Sequence, residues 1–212
     1  IQKEKDKMEY NFFNLNKNIT TNALYFKKND REISLDKKIG LTIRNPGILN
    51  IYNIRGDFKK NPFTSIVKTF FKIHDLPEIG NFKNKEETFL LNIGPDEMLL
   101  IKQSINNKLI KEVEKKLKAN HLLMTEVSDH YQVLNLSGEN VRWILSKGCP
   151  LNLDKDIFLP GKCAQTHLGH SNVILFCNNV NAFTLICVSS FSEYVLEWLK
   201  ESAYEHGYHY TN

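Results

Sequence analysis

At 212 residues the chain is long enough for one large domain or two small ones and for a substantial core. A hydrophobic content of 42% with 25% charged residues excludes a largely disordered chain. The net charge of +4, from 28 basic and 24 acidic residues, is interspersed, as in Lys111-Glu112-Val113-Glu114-Lys115; that argues against nucleic-acid binding, which gathers basic charge on one face.

Ile1 to Tyr10 is a run of charge without the apolar centre of a secretory leader. No apolar stretch approaches the ~20 residues of a membrane helix, so a cytoplasmic chain with reduced thiols and no membrane contact is expected. Residues 1–40 are rich in Lys, Asn and Asp, with aromatic islands at Asn11-Phe12-Phe13 and Leu24-Tyr25-Phe26. They read either as an extended arm docking by its aromatics, on a neighbouring subunit for instance, or as a partly ordered tail.

From Gly40 the pattern becomes regular. Ile48 to Ile54 alternates as a half-buried strand and stops at Arg55-Gly56-Asp57, an RGD tripeptide that reads as a plain turn. Asn61-Pro62 offers an N-cap followed by proline at the first helical position. Phe63, Ile66, Val67, Phe70 and Phe71 follow at helical spacing, until Pro77 and Gly80 end the unit. Thr88–Leu91 and Met98–Ile101 form a predicted hairpin about Gly94-Pro95-Asp96-Glu97, whose Gly and Pro suit a turn. Asn107 to Lys118 is an amphipathic helix with Leu109, Ile110, Val113 and Leu117 on one face.

His121 to Leu136 is strand-rich. Glu139 to Ser146 reads as a short helix closed by Lys147 and Gly148. Pro150 to Gly161 is a loop, and Ala164 to Ser189 holds two or three strands with a turn at Asn178-Asn179-Val180-Asn181. Ser190, with Glu193 three residues on, predicts a capping box. The last helix carries Phe191, Tyr194, Val195, Trp198 and Leu199 on its apolar face, and His206 and His209 read as surface residues at a frayed C-terminus. The whole is an α+β protein with mostly antiparallel sheets and packed helices. It divides into an arm (1–40), a first α+β half (41–120) and a second (121–212).

Candidate chemistry is sparse. Cys149, Cys163, Cys177 and Cys187 form no C-x-x-C pair and read as small buried thiols. Cys163, His167 and His170 could suggest a metal site, but on a strand residues three apart point to opposite faces; ordinary histidines are the expectation. Asp96 and Glu97 sit on a proline-led turn near solvent, where a carboxylate lacks the burial a catalytic acid needs; they read as turn and interface residues. No P-loop or dinucleotide-binding glycine pattern is present.

From about Gly94 to Leu199 the chain resembles the gamma-subunit family of heterotetrameric sarcosine oxidases. The resemblance lies in Gly94-Pro95-Asp96-Glu97-Met98-Leu99-Leu100, Val127-Ser128-Asp129 and Val133-Leu134-Asn135-Leu136-Ser137-Gly138. It continues through Leu145-Ser146-Lys147-Gly148-Cys149-Pro150-Leu151-Asn152-Leu153, Pro160-Gly161-Lys162-Cys163-Ala164-Gln165-Thr166 and Ser190 to Leu199. The same half is similar to the first part of the folate-binding aminomethyltransferases, which implies their folate-binding-domain fold.

The resemblance implies a complex that oxidises the N-methyl group of sarcosine and passes the one-carbon fragment to tetrahydrofolate, with hydrogen peroxide formed. It implies alpha, beta and delta partners, alpha foremost. FAD and FMN would lie in beta and at its interface with alpha, NAD and tetrahydrofolate in alpha, and zinc in delta. For this chain it implies no catalytic residue, no cofactor and no metal. Aminomethyltransferases carry a Gly-Val-Ile-Asp-Asp-like run whose carboxylate meets the folate. Here the corresponding run is His170-Ser171-Asn172-Val173-Ile174-Leu175-Phe176, and no carboxylate lies between Asp156 and Glu193. Lys147-Gly148-Cys149 is similar to a signature of folate-binding iron–sulfur maintenance proteins, but its Tyr-x-Gly-Gln continuation is absent. A structural thiol is expected at Cys149. A folate-binding aminomethyltransferase-like protein acting alone, or the gamma subunit of a related N-methyl amino acid dehydrogenase, is the alternative.

Overall fold

The structure, a computed structural model, describes residue 24 and residues 27–34, 38–59 and 62–212. Two sheets carry the fold. The larger takes its strands in the order β1 (Asp30–Glu32), β12 (Tyr208–Thr211), β2 (Leu41–Arg44), β8 (Tyr131–Ser137), β11 (Ala182–Val188), β10 (Ser171–Asn179) and β9 (Cys163–Leu168). The smaller runs β4 (Phe82–Lys85), β5 (Thr88–Gly94), β6 (Glu97–Lys102), β3 (Asn50–Arg55) and β7 (Leu123–Glu126). Every pairing among these strands is antiparallel except β12 with β2.

Strand alternation gives each sheet two faces, and both are apolar, so each must be covered twice. Ile51, Leu91, Leu99 and Ile101 of the small sheet meet Val133, Ile174, Phe176 and Ile186 of the large one in a shared core. The outer face of the small sheet is covered by α1 (Pro62–Phe71) and α2 (Asn107–Lys118) through Phe63, Val67, Val113 and Leu117. The outer face of the large sheet is covered by α3 (Val141–Ser146) and α4 (Ser192–Ala203) through Val141, Ile144, Val195 and Leu199. The result is helices, sheet, sheet, helices: the α+β fold with mostly antiparallel sheets that the residue pattern predicts. The two halves interlock. β2, from residues 41–120, pairs in the large sheet, while β7, from residues 121–212, completes the small one.

Predicted elements largely coincide with observed ones. The Gly94–Glu97 turn joins β5 to β6, and α2 has the predicted bounds. Asn106 caps α2, its side chain accepting from Lys108 N at 2.8 Å. The predicted N-cap at Asn61 lies outside the described residues, as do Phe12, Phe13, Tyr25 and Phe26. Two expectations are corrected. Ser190 caps nothing: a 3-10 turn over Ser189–Phe191 leads into α4, and the Ser192 hydroxyl donates to Ser189 O at 2.7 Å. The C-terminus is a strand: Tyr208 and Tyr210 are buried, and His206 and His209 are half-buried. Gly207, at φ +75°, lets the chain turn into that strand where its carbonyl accepts from Leu41 N at 3.1 Å.

Part of residues 1–40 docks on this chain itself. Leu24 is buried in the core under α3 and α4, and β1 forms the edge of the large sheet. Lys27 pairs with Glu193 and Glu197, and Asp30 with Lys200, which tie the segment to α4.

Candidate functional site

The inner face of the large sheet is a grid of cross-strand rows set by register. Arg44, Asn135, Thr184, Phe176 and Cys163 form one row across β2, β8, β11, β10 and β9. Val133, Ile186, Ile174 and Gln165 form the next, and the pairs Tyr131–Val188 and Asn172–His167 lie beyond. The small sheet covers the middle of the grid and leaves clefts at its two ends.

The cleft beyond the middle rows, about 570 Å³, is lined by Tyr131, Gln165, His167, Asn172, Ile174 and Leu151, among others. β10 lines it with Asn172, Val173 and Ile174, the last two buried. Among the described residues no carboxylate and no cysteine lines this cleft. Burial raises the Tyr131 phenol, with the Glu97 charge adding to the rise, so it stays protonated and can donate but not abstract. The walls can hydrogen-bond a polar molecule through amides, a phenol and an imidazole, and they offer no described general base of carboxylate type.

The other candidates singled out from the sequence separate in space. Cys163 is buried, its thiol donating to Asn92 O at 3.7 Å. His167 faces the cleft, while His170 follows Gly169 and its backbone N donates to the Tyr194 hydroxyl at 3.1 Å. Among the described residues no three His, Cys, Asp or Glu side chains gather as metal ligands. Cys149 is buried with its Sγ 3.7 Å from Thr166 Oγ1, while the Lys147 amine reaches away to Ser202 O at 2.8 Å and to Glu205. The lysine of the Lys-Gly-Cys run is thus turned away from the thiol whose thiolate it would favour. Burial holds Cys163 and Cys187 at about 12 and raises Cys177, so these sulfurs are packing groups.

Asp96 and Glu97 pair within the chain. Arg55 binds Asp96 at 3.5 Å and Glu97 at 2.9 Å, and Asn53 Nδ2 donates to Glu97 at 2.6 Å. The RGD arginine is thereby held on the β5–β6 hairpin, in keeping with a structural turn.

Two packing devices escaped sequence reasoning. Arg142, on α3, donates through Nε to Val180 O at 2.7 Å and through Nη1 to Leu153 O at 2.6 Å. Nη1 and Nη2 both reach Phe158 O at 3.2 Å, and the guanidinium lies 4.8 Å from the centre of the Phe183 ring. One side chain thus fastens the 150–161 loop and the β10–β11 turn to α3. Gly148 leaves room for the indole of Trp198, which a Cβ would overlap, and its carbonyl accepts from Gly169 N at 3.0 Å. A lone arginine in a short, mostly apolar helix and one glycine after that helix carry no periodic signal, so only contacts reveal them.

The sarcosine oxidase, gamma subunit family matches residues 55–205, well over half the chain. The chain belongs to this family. Two curated relatives, both sarcosine oxidase subunit gamma, come from Corynebacterium strains U-96 and P-1. The first is 27% identical over 118 residues, covering 56% of this chain and 57% of the relative; the second is 28% identical over 120 residues, covering 57% and 59%. The chain thus spans somewhat under two thirds of the relatives' length. Among solved structures, the heterotetrameric sarcosine oxidase of Corynebacterium sp. U-96 contains a chain that superposes at TM-score 0.71 with 20% identity, covering 79% of this chain and 89% of that one. The glycine cleavage system aminomethyltransferase T of Bartonella henselae superposes at TM-score 0.61 with 10% identity, covering 82% and 48%. At these identities the superpositions show the fold: a chain of the heterotetrameric oxidase and the aminomethyltransferase share this two-sheet architecture. The β5–β6 hairpin, the β8 end, the Gly148 turn and α4 are the places where the family-like motifs sit, and they pack around the large sheet.

Proposed function

We propose that this chain is the non-catalytic gamma subunit of a heterotetrameric sarcosine oxidase, a cytoplasmic complex with alpha, beta and delta subunits in which alpha is its main partner. The assembled enzyme would convert sarcosine to glycine, giving hydrogen peroxide and 5,10-methylenetetrahydrofolate. Membership of the gamma subunit family supports this, and one observation favours scaffold over enzyme: β10 offers apolar core and an amide where a folate-dependent transferase offers an acid.

FAD, FMN, NAD, tetrahydrofolate and zinc belong to the partner subunits in this proposal, and no side chain here is assigned to a cofactor, a metal or the chemistry. The oxidation would be flavin chemistry in those partners; this chain contributes surface. Exposed Trp143, Tyr204, Leu123 and Ile79, each 59–65% accessible, are large apolar groups suited to burial against another chain.

The test is purification of the chain alone and with its alpha, beta and delta partners, followed by a sarcosine-dependent peroxide assay. The proposal expects a colourless, inactive lone chain that joins a yellow, active complex. A lone chain that ignores flavin subunits and binds tetrahydrofolate would make it a free-standing folate protein. A complex that oxidises another N-methyl amino acid without forming peroxide would make it the gamma subunit of a related dehydrogenase.

A further inference from the structure

The second cleft, about 480 Å³, opens where the sheets part beside β2, within the ~300–1,000 Å³ common for small-molecule sites. Its floor is apolar: Phe89 and Ile101 from the small sheet, with Leu49 just before β3, face Phe176 and Val133 from the large one. The inner face then turns polar along a single row. The Thr184 hydroxyl, on a residue only 5% exposed, donates to Asn135 Oδ1 at 2.8 Å and accepts from Asn178 Nδ2 at 2.7 Å. Those two bonds fix the row and, among the described residues, leave the Asn135 amide hydrogens and the Asn178 carbonyl oxygen uncommitted.

Two opposite charges stand on the rim. Arg44 ends β2 in register with Asn135, and Glu87 projects from the tip of the β4–β5 hairpin. Neither forms an ion pair with any described residue. The nearby Lys102 amine is directed to Thr88 Oγ1 at 2.8 Å and Glu86 O at 3.3 Å. A cation and an anion without described partners, a phenyl-walled floor and a free amide make the complement of one chemical class.

We propose that this cleft binds a small zwitterionic amino acid with an apolar side chain. Arg44 and the Asn135 amide would receive the carboxylate, Glu87 the ammonium, and Phe89 and Phe176 the side chain. A guanidinium can hold a carboxylate with two parallel N–H donors, and both charge contacts strengthen beside a wall that excludes water. This inference does not depend on the subunit reading, because it concerns a cleft of this chain alone.

The experiment is calorimetric titration of the full chain with L-leucine, with 4-methylpentanoate, which lacks the ammonium, and with 3-methylbutylamine, which lacks the carboxylate. Saturable binding of L-leucine is expected, with each single-charge analogue at least about tenfold weaker, a difference of about 1.4 kcal/mol. Arg44→Gln and Glu87→Gln should each weaken L-leucine about tenfold; both side chains are exposed, so the variants keep the parent circular dichroism. Absence of saturation up to about 10 mM, well above a millimolar Kd, overturns the proposal. So do equal affinities for the three probes, or variants that bind as the parent does.

Discussion

Arg142→Ala tests whether one guanidinium holds the 150–161 loop. The side chain donates to three backbone carbonyls, of Leu153, Phe158 and Val180, and stacks on Phe183. Hydrogen bonds from a charged donor contribute roughly 1.5–3 kcal/mol each where desolvated. Here the Val180 bond is exposed and the other two are half-buried, so water can replace part of what is lost. About 1 kcal/mol per carbonyl is the appropriate scale, and the cation–π contact adds roughly 0.5 kcal/mol. The expected loss is therefore about 3.5 kcal/mol, which for a chain of this size lowers Tm by roughly 7–14 °C. Urea unfolding followed by circular dichroism measures it, and limited proteolysis should locate new cleavage between Asp154 and Pro160. An Arg142→Ala protein within about 0.5 kcal/mol of the parent, with the loop still resistant, would refute the clamp, because solvent would then serve the three carbonyls equally well.

Gly148→Ala places a methyl group on the Trp198 indole and close to the Gly169 backbone. Overpacking of this kind costs about 1–3 kcal/mol, and because the indole must shift, the tryptophan emission should change with it; a silent substitution would mean that α4 slides freely. Alkaline pH should destabilise the fold. The thiols of Cys163 and Cys187 are held at about 12 by burial against 9.0 when free, and the Tyr52 phenol at about 12 against 10.0. Below pH 9 these groups are protonated in both states and their contribution is fully present. As pH rises from 9 towards 12 the unfolded chain ionises first and stability falls. Thermal melts should be level near pH 8 and drop above pH 9, with Cys163→Ser and Cys187→Ser each reducing the slope between pH 9 and 12.

Local chemistry made much of this protein legible from its residues. The apolar spacing of Phe63, Ile66 and Val67, the Gly94-Pro95 turn and the face of α2 are decided within a few residues, since helix and strand periods are local. The absence of an acid between Asp156 and Glu193 is a property of the sequence itself. The predicted cap at Ser190 failed for an equally local reason: serine also suits a 3-10 turn, and the chain takes one more turn before α4 begins.

Strand order was beyond local reasoning. Tyr208–Thr211 lies in sequence after the last helix and looks like a fraying end, yet it is sandwiched between β1 and β2, more than 160 residues away. Register aligns Arg44, Asn135 and Thr184 across three distant strands, and only the packing of the small sheet on the large one brings Glu87 to the same cleft. Sequence pattern determined local form and most of the buried faces, although Phe191 and Tyr194 of the predicted apolar face are exposed and Tyr208 and Tyr210 of the expected frayed end are buried. Tertiary structure alone decided which segments are neighbours, because pairing depends on hydrogen bonds and packing between strands whose separation along the chain leaves no periodic trace.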